Sequence, residues 1–265
     1  MTSFDLQEEI RHVAVDRPEP HIARVMLQGR SRYNLMSYAM LRELWAVANR
    51  LQGDADLRVV IVSGLPDAFS AGMDLKQAEV AGHRALSTAE RLEIHSIGAR
   101  ACAAWESLDA VTVCAIEGYC LGGGLAFSLA CDYRVASSGA MLGAPELRNG
   151  MNMSWQSIPR LVALIGQART RKLLMLGDPV DAQTAERWGL VDELSDPGDA
   201  QEKALLLARR LASMPPVPMR MTKQAINVAA NALGHAVSYM DLEQYVACQS
   251  TDEHQQALDA FFQRR

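Results

Sequence analysis

Long apolar runs are missing from this chain. None reaches the ~18 residues that a helical membrane span needs, so a transmembrane helix bundle is excluded. Clustered cations are missing as well. Lys+Arg 26 stand against Asp+Glu 31, a net charge of −5. No basic run offers the phosphate-neutralising patch that nucleic acid demands. No CxxC pair occurs among the five cysteines, Cys102, Cys114, Cys120, Cys131 and Cys248. Their number is odd and four lie in apolar segments, which points to buried thiols in a reducing compartment rather than a disulfide framework. The six histidines, His12, His21, His83, His95, His235 and His254, are scattered. With no metal-ligand spacing among them, no metal is expected. A GxSxG elbow, a GxGxxG turn and a Lys-Ser/Thr phosphate loop are all absent. There is no low-complexity tract and no internal repeat. The opening residues, "MTSFDLQEEIRHVAV", lack the pattern of a secretory leader. A cytoplasmic protein is expected.

What is there is an ordinary globular balance, 49% hydrophobic and 22% charged over 265 residues. "HVAVD" (12–16) and "HIARVMLQ" (21–28), separated by "RPEP", predict a hairpin. Ser37 is placed to cap a helix whose apolar face holds Leu41, Leu44, Trp45 and Ala48. "LRVVIVSG" (57–64) and "VTVCAIEG" (111–118) read as buried strands, with a long helix between them over 88–108. "YRVAS" (133–137) is a third strand. Beyond Glu146 the chain reads as mostly helical. Asp181 and Gly189 bracket one capped helix. Pro215, Pro216 and Pro218 break the chain, and two or three helices follow over 219–262. Strand–helix alternation with a helical tail predicts an α/β fold with a C-terminal helical appendage.

Three segments carry residues suited to chemistry. "AFSAGMDLK" (68–76) follows a strand with a tight turn that exposes backbone N–H groups. A plain strand-to-helix loop explains it equally. "GYCLGGGLAFSLACDY" (118–133) places three glycines before a helix, where backbone can approach a ligand closely. Taken alone, tight helix packing explains it too. Two such turns after neighbouring strands can hold one oxyanion from both sides. "GAPELRNGMN" (143–152) sets Glu146 after a proline in a stiff loop. That loop either aims a carboxylate or displays it to solvent.

These segments, with "LLMLGDPVDAQTAERWGLVDEL" (173–194), together resemble the enoyl-CoA hydratase/isomerase (crotonase) family in order and spacing over 10–226. The resemblance implies a superhelix of strand-strand-helix turns, a core over 1–196, and a helical trimerisation or lid part over 197–265. It implies acyl-CoA thioester substrates, with coenzyme A as part of the substrate and no permanently bound cofactor. A homotrimer or a pair of trimers is expected, with neither nucleic acid nor membrane as partner. The oxyanion N–H groups fall to Met73 and Gly123. Ala71, Met73, Asp74, Leu75 and Lys76 match the CoA-contacting segment; Lys76 either reaches the nucleotide end or is a solvated lysine. Hydratases of the family carry two glutamates around one water. Here Ala126 stands at the first position and Glu146 at the second. Downstream the chain departs from the family, and Trp155 either shapes the acyl pocket or packs in the core. One carboxylate suits double-bond isomerisation. One-glutamate hydration, including of aryl-enoyl thioesters, and a non-catalytic acyl-CoA-binding role are the alternatives. Should Glu146 not be the acid/base, Glu79 and Glu90 come next.

Overall fold

A computed structural model describes residues 12–29, 31–76, 86–232 and 234–263. Strands β1 (Val13–Glu19) and β2 (Ile22–Leu27) form the expected hairpin. Its turn is tighter than "RPEP": Glu19 pairs with Ile22, and His21 takes the left-handed conformation at φ 66°. Arg17 and Pro18 therefore lie inside β1. Proline is tolerated there because β1 is an edge strand with a register shift between Asp16 and Glu19.

From β2 onward the chain winds in repeated turns, each giving one strand to each of two sheets. The large sheet runs β1-β2-β3-β5-β7-β10, with β3 (Val59–Ser63), β5 (Val111–Ile116), β7 (Tyr133–Ser137) and β10 (Glu193–Ser195). From β2 to β10 it is parallel. The small sheet runs β4-β6-β8-β9, with β4 (Ala68–Ser70), β6 (Tyr119–Leu121), β8 (Met141–Gly143) and β9 (Val180–Asp181).

Helix α1 (Tyr38–Gln52) starts at Ser37, whose hydroxyl accepts from the N–H of Met40. Helix α2 (Thr88–Glu106) starts with a capping box in which Ser87 and Glu90 satisfy each other's backbone N–H groups. Helix α3 (Gly123–Leu129) is short and almost wholly buried, with Ser128 its one buried polar side chain, bonded to the Leu125 carbonyl. Val60 and Val62 of β3 face a core shared with α1 and α2, while Val59 and Ile61 face a second core. Helix α6 (Ala200–Ala212) closes that second core with Ala200, Ala204, Leu207 and Ala208. Both faces of β3 are buried, so it reads as an unbroken Val/Ile run.

The C-terminal half is helical as expected: α4 (Ser157–Leu176, interrupted at Gly166), α5 (Ala182–Trp188), then α6 and α7 (Pro216–Asn231). The residues beyond are α8 (Gly234–Ser238), α9 (Asp241–Cys248) and α10 (Asp252–Gln263). Two details correct the sequence reading. Pro216 and Pro218 lie in the first turn of α7, where a missing N–H costs nothing, so they open the helix rather than break it. Among the described residues four helices, not two or three, follow Pro215. Among the described residues no helix is long and apolar enough to cross a membrane.

One tight constraint on the fold lies where α3 crosses β4. A Cβ built on Gly124 would lie 2.4 Å from the carbonyl oxygen of Ser70, a backbone atom that cannot step aside. Gly124→Ala is expected to push α3 off β4 and cost about 1–3 kcal/mol. Chemical denaturation measures this; a variant as stable as wild type would contradict the packing.

Candidate active site

Three adjacent parallel strands of the small sheet end at one place. β4 runs into Ala71-Gly72-Met73-Asp74, β6 into Gly122-Gly123, and β8 into Ala144-Pro145-Glu146. The sheet thus gathers all three sequence segments at its carboxyl edge, around a cavity of about 630 Å³. Ala71, Met73, Asp74, Leu75, Lys76, Gly123, Ala126, Glu146 and Trp155 all line it.

The first turn is stitched down on one side only. Ala71 donates to the Tyr33 carbonyl (2.9 Å), Met36 to that of Gly72 (2.8 Å), and Asp74 to that of Met36 (2.9 Å). In such a parallel pairing alternate amides point opposite ways, so the Met73 N–H faces away from its stitching partner. Asn34, fully buried, fixes this neighbourhood. Its amide donates to the carbonyls of Leu27 and Phe69, and its oxygen accepts from Gly29.

The second turn lies against the first. A Cβ built on Gly72 would sit 3.3 Å from the Gly123 nitrogen. Gly122 donates to the Gly143 carbonyl and adopts φ 53°, ψ −120°, which glycine alone adopts without strain. Gly123 opens α3, where an N–H has no intrahelical acceptor. Among the described residues, neither the Met73 N–H nor the Gly123 N–H finds a partner.

Glu146 begins a 3-10 turn (Glu146–Asn149) after Pro145. Its carboxylate reaches back to the glycine turn: a Cβ on Gly122 would lie 2.7 Å from Oε1. The residue is partly exposed as a whole, but Oε2 is buried without a hydrogen-bond partner. Burial pushes its pKa up to about 7, against a weaker opposing effect of its own backbone N–H. Among the described residues the only other carboxylate on the lining is Asp74, whose Oδ1 accepts from the Lys76 N–H 3.1 Å away. Lys76 is exposed.

Ala126 is buried in the first turn of α3, its N–H donating to the Gly122 carbonyl. Trp155 lines the cavity and also packs in the core between Gly98 and Gly123, where a Cβ would meet the indole at 2.0 and 3.0 Å. Its left-handed backbone (φ 59°) is held by Arg160, which donates to the Trp155 carbonyl and pairs with Glu106. Glu90, a reserve candidate, is exposed and occupied as the α2 cap, and it does not line the cavity. Glu79, the other, lies outside the described residues.

Sequence reading missed several lining residues. Arg32 stands at the mouth, its guanidinium 4.7 Å from the centre of the Tyr33 ring. Tyr38, His95, Tyr245, Phe261 and Phe262 complete the wall. They come from α1, α2, α9 and α10, and no local motif joins them.

A carboxyl group whose pKa burial raises to about 7, beside two free amides at the carboxyl edge of the small sheet, suits an enzyme of the hydratase/isomerase class. The chain belongs to the enoyl-CoA hydratase/isomerase family, whose profile matches residues 17–265. It is similar to the short-chain-enoyl-CoA hydratase of Clostridium acetobutylicum, 27% identical over 258 residues and 97% of each chain. A crystal structure of an enoyl-CoA hydratase from Bacillus anthracis superposes with a TM-score of 0.78 at 30% identity, covering 96% of this chain and 97% of that one. A monofunctional enoyl-CoA isomerase from M. smegmatis superposes with a TM-score of 0.70 at 28% identity, over 85% of this chain and 98% of that one. The expected crotonase fold is the fold observed.

Burial of Glu146 has a consequence for stability. The folded chain keeps this proton up to about pH 7, whereas an unfolded carboxyl releases it near 4.5. Stability contributed by the protonated form is therefore full below 4.5 and is lost as pH rises through 7. Glu146→Gln cannot ionise. It is expected to be more stable than wild type by roughly 1–3 kcal/mol near about pH 8, and by much less near about pH 5. Equal differences at both pH values, by denaturant titration, would contradict a buried carboxylate.

Proposed function

We propose that the protein isomerises the double bond of an enoyl-CoA thioester, with Glu146 as its single acid/base. One observation carries this reading: among the described residues Glu146 is the only carboxylate in the cavity with a buried, unpaired oxygen, and Ala126 lines the cavity where the family resemblance puts a hydratase's other carboxylate. The Met73 and Gly123 N–H groups receive the thioester oxygen. Ionised Glu146 takes a proton from C2 of a 3-enoyl-CoA. The electron pair of that C–H bond moves into the conjugated system, and charge collects on the thioester oxygen. The same carboxyl returns the proton at C4, the double bond closes between C2 and C3, and the oxyanion collapses. Each fixed donor aimed at the oxyanion is worth about 3–4 kcal/mol in the transition state. A pKa near 7 lets Glu146 both take and return a proton at neutral pH. Lys76 and Arg32, at the mouth, suit the phosphates of coenzyme A.

The competing reading, hydration of a 2-enoyl-CoA, is favoured by the names of the hydratase relatives. Mass spectrometry separates the two, since hydration adds a water and isomerisation does not. Glu146→Gln is expected to lower the isomerisation rate by roughly 10²–10⁴-fold with acyl-CoA affinity little changed. Because ionised Glu146 is the base, kcat/KM is expected to fall as pH drops below about 7. Product heavier by one water, or an unimpaired Gln variant, would overturn the reading.

A trimeric assembly is part of the same proposal. Met175, Val217, Met221, Ile226 and Val228 of α4 and α7 are large apolar side chains left exposed on the single chain, a load that association would bury. Light scattering at micromolar concentration is expected to give a multiple of three protomers; a monomer would contradict it.

A further inference from the structure

One wall of the cavity is polar in a way that a hydrocarbon pocket does not need. Tyr38 opens α1, His95 lies in α2 and Tyr245 in α9, and all three line the cavity. The Tyr38 hydroxyl and His95 Nδ1 are hydrogen-bonded at 2.8 Å. His95 stacks edge-on with both rings, its centroid 5.7 Å from Tyr38 and 5.1 Å from Tyr245. Only 5% of His95 is exposed, and its Nε2 makes no hydrogen bond. The Gln249 carboxamide is its polar neighbour, with Gln249 Oε1 and His95 Nε2 both buried and poorly aligned for a hydrogen bond. Burial and the charge of Arg91 pull the imidazole down to about 4, outweighing Gln249, so the ring is neutral at physiological pH. Among the described residues the Tyr245 hydroxyl has no hydrogen-bond partner.

Buried polar atoms without partners cost free energy, and a saturated hydrocarbon lying on them leaves that cost in place. An oxygen atom on the ligand removes it. A hydroxyl or carbonyl can accept from the Tyr245 hydroxyl, and a hydroxyl can also donate back to it. The Tyr38–His95 pair holds the neighbouring wall neutral, so the preference is for an uncharged oxygen rather than a carboxylate. A site built to hydrogen-bond an oxygen rejects the analogue lacking it far more strongly than an apolar pocket rejects one methylene.

We propose that the Tyr38–His95–Tyr245 wall selects acyl-CoA thioesters whose acyl chain carries a hydroxyl or carbonyl oxygen where the chain meets this wall. This rests on the acyl-CoA reading of the cavity but not on the isomerisation chemistry, and the test keeps the two apart. Affinity is measured by calorimetry for saturated, unreactive acyl-CoA pairs of short and medium chain length. Within each pair one chain ends in a hydroxyl and the other in a methyl group of similar size. Wild type is expected to bind the hydroxylated member of at least one pair roughly 10- to 100-fold more tightly. Tyr245→Phe and, more weakly, Tyr38→Phe are expected to bring that ratio towards one, with affinity for the methyl member unchanged or improved. Equal affinities within every pair for wild type would overturn the proposal, as would a preference undiminished in both variants. Failure to bind any acyl-CoA would instead overturn the reading of the cavity. Parallel turnover of an alkyl 3-enoyl-CoA reports on the isomerisation step by itself.

Discussion

Parallel pairing of three very short strands is the constraint on which the rest depends. β4, β6 and β8 have three residues each and lie side by side, with Ser70 paired to Cys120 and Leu121 to Gly143. Parallel strands in neighbouring positions end on the same edge, so whatever follows each strand is brought to one place. The chain uses this three times, for the Met73 turn, the Gly123 turn and Glu146. Each segment is weak as a motif; their convergence is what makes a site. The close crossing of Gly124 over Ser70 keeps the second turn against the first, and Gly122 leaves room for the carboxylate. Strands this short have little stability of their own. They are held by the large sheet behind them and by the helices that cover its two faces.

The electrostatics follow from the same arrangement. Two backbone amides without acceptors lie near a carboxylate without a donor on Oε2. In a resting protein these are unfavourable loose ends, since buried polar groups are ordinarily paired. On the proposed reading, a thioester oxygen would accept from the amides and the carboxylate would face the proton to be removed. The raised pKa of Glu146 expresses the cost of leaving that group dry. A second carboxylate at position 126 would add like charge to the same small space; the methyl group there keeps the wall apolar.

Much of this was legible in the sequence, and the reasons differ by element. β3 and most of β5 are β-branched runs because both sheet faces are covered, so they stand out. Ser37, Asp181 and Gly189 act as caps through local backbone geometry, which four residues suffice to reveal. The strands of the small sheet do not stand out, because three residues cannot establish a period of two. The hairpin turn was misplaced by one proline, since an edge strand tolerates Pro18. The family resemblance placed Met73, Gly123 and Glu146, all of which line the cavity. It was silent on Tyr38, His95 and Tyr245, which lie on three separate helices, the first two 57 residues apart. Only the packing of α9 against α2 brings the third ring to the other two.

On the proposed mechanism, one buried carboxyl group carries a proton from C2 to C4. A 3-enoyl-CoA with deuterium at C2 tests this directly, with the 2-enoyl product analysed by NMR in ordinary water. A single carboxyl screened from solvent, as Oε2 of Glu146 is, delivers part of the label to C4 of the same molecule. Complete loss of the label to water in every product molecule, or a product that carries an added water, would contradict the account.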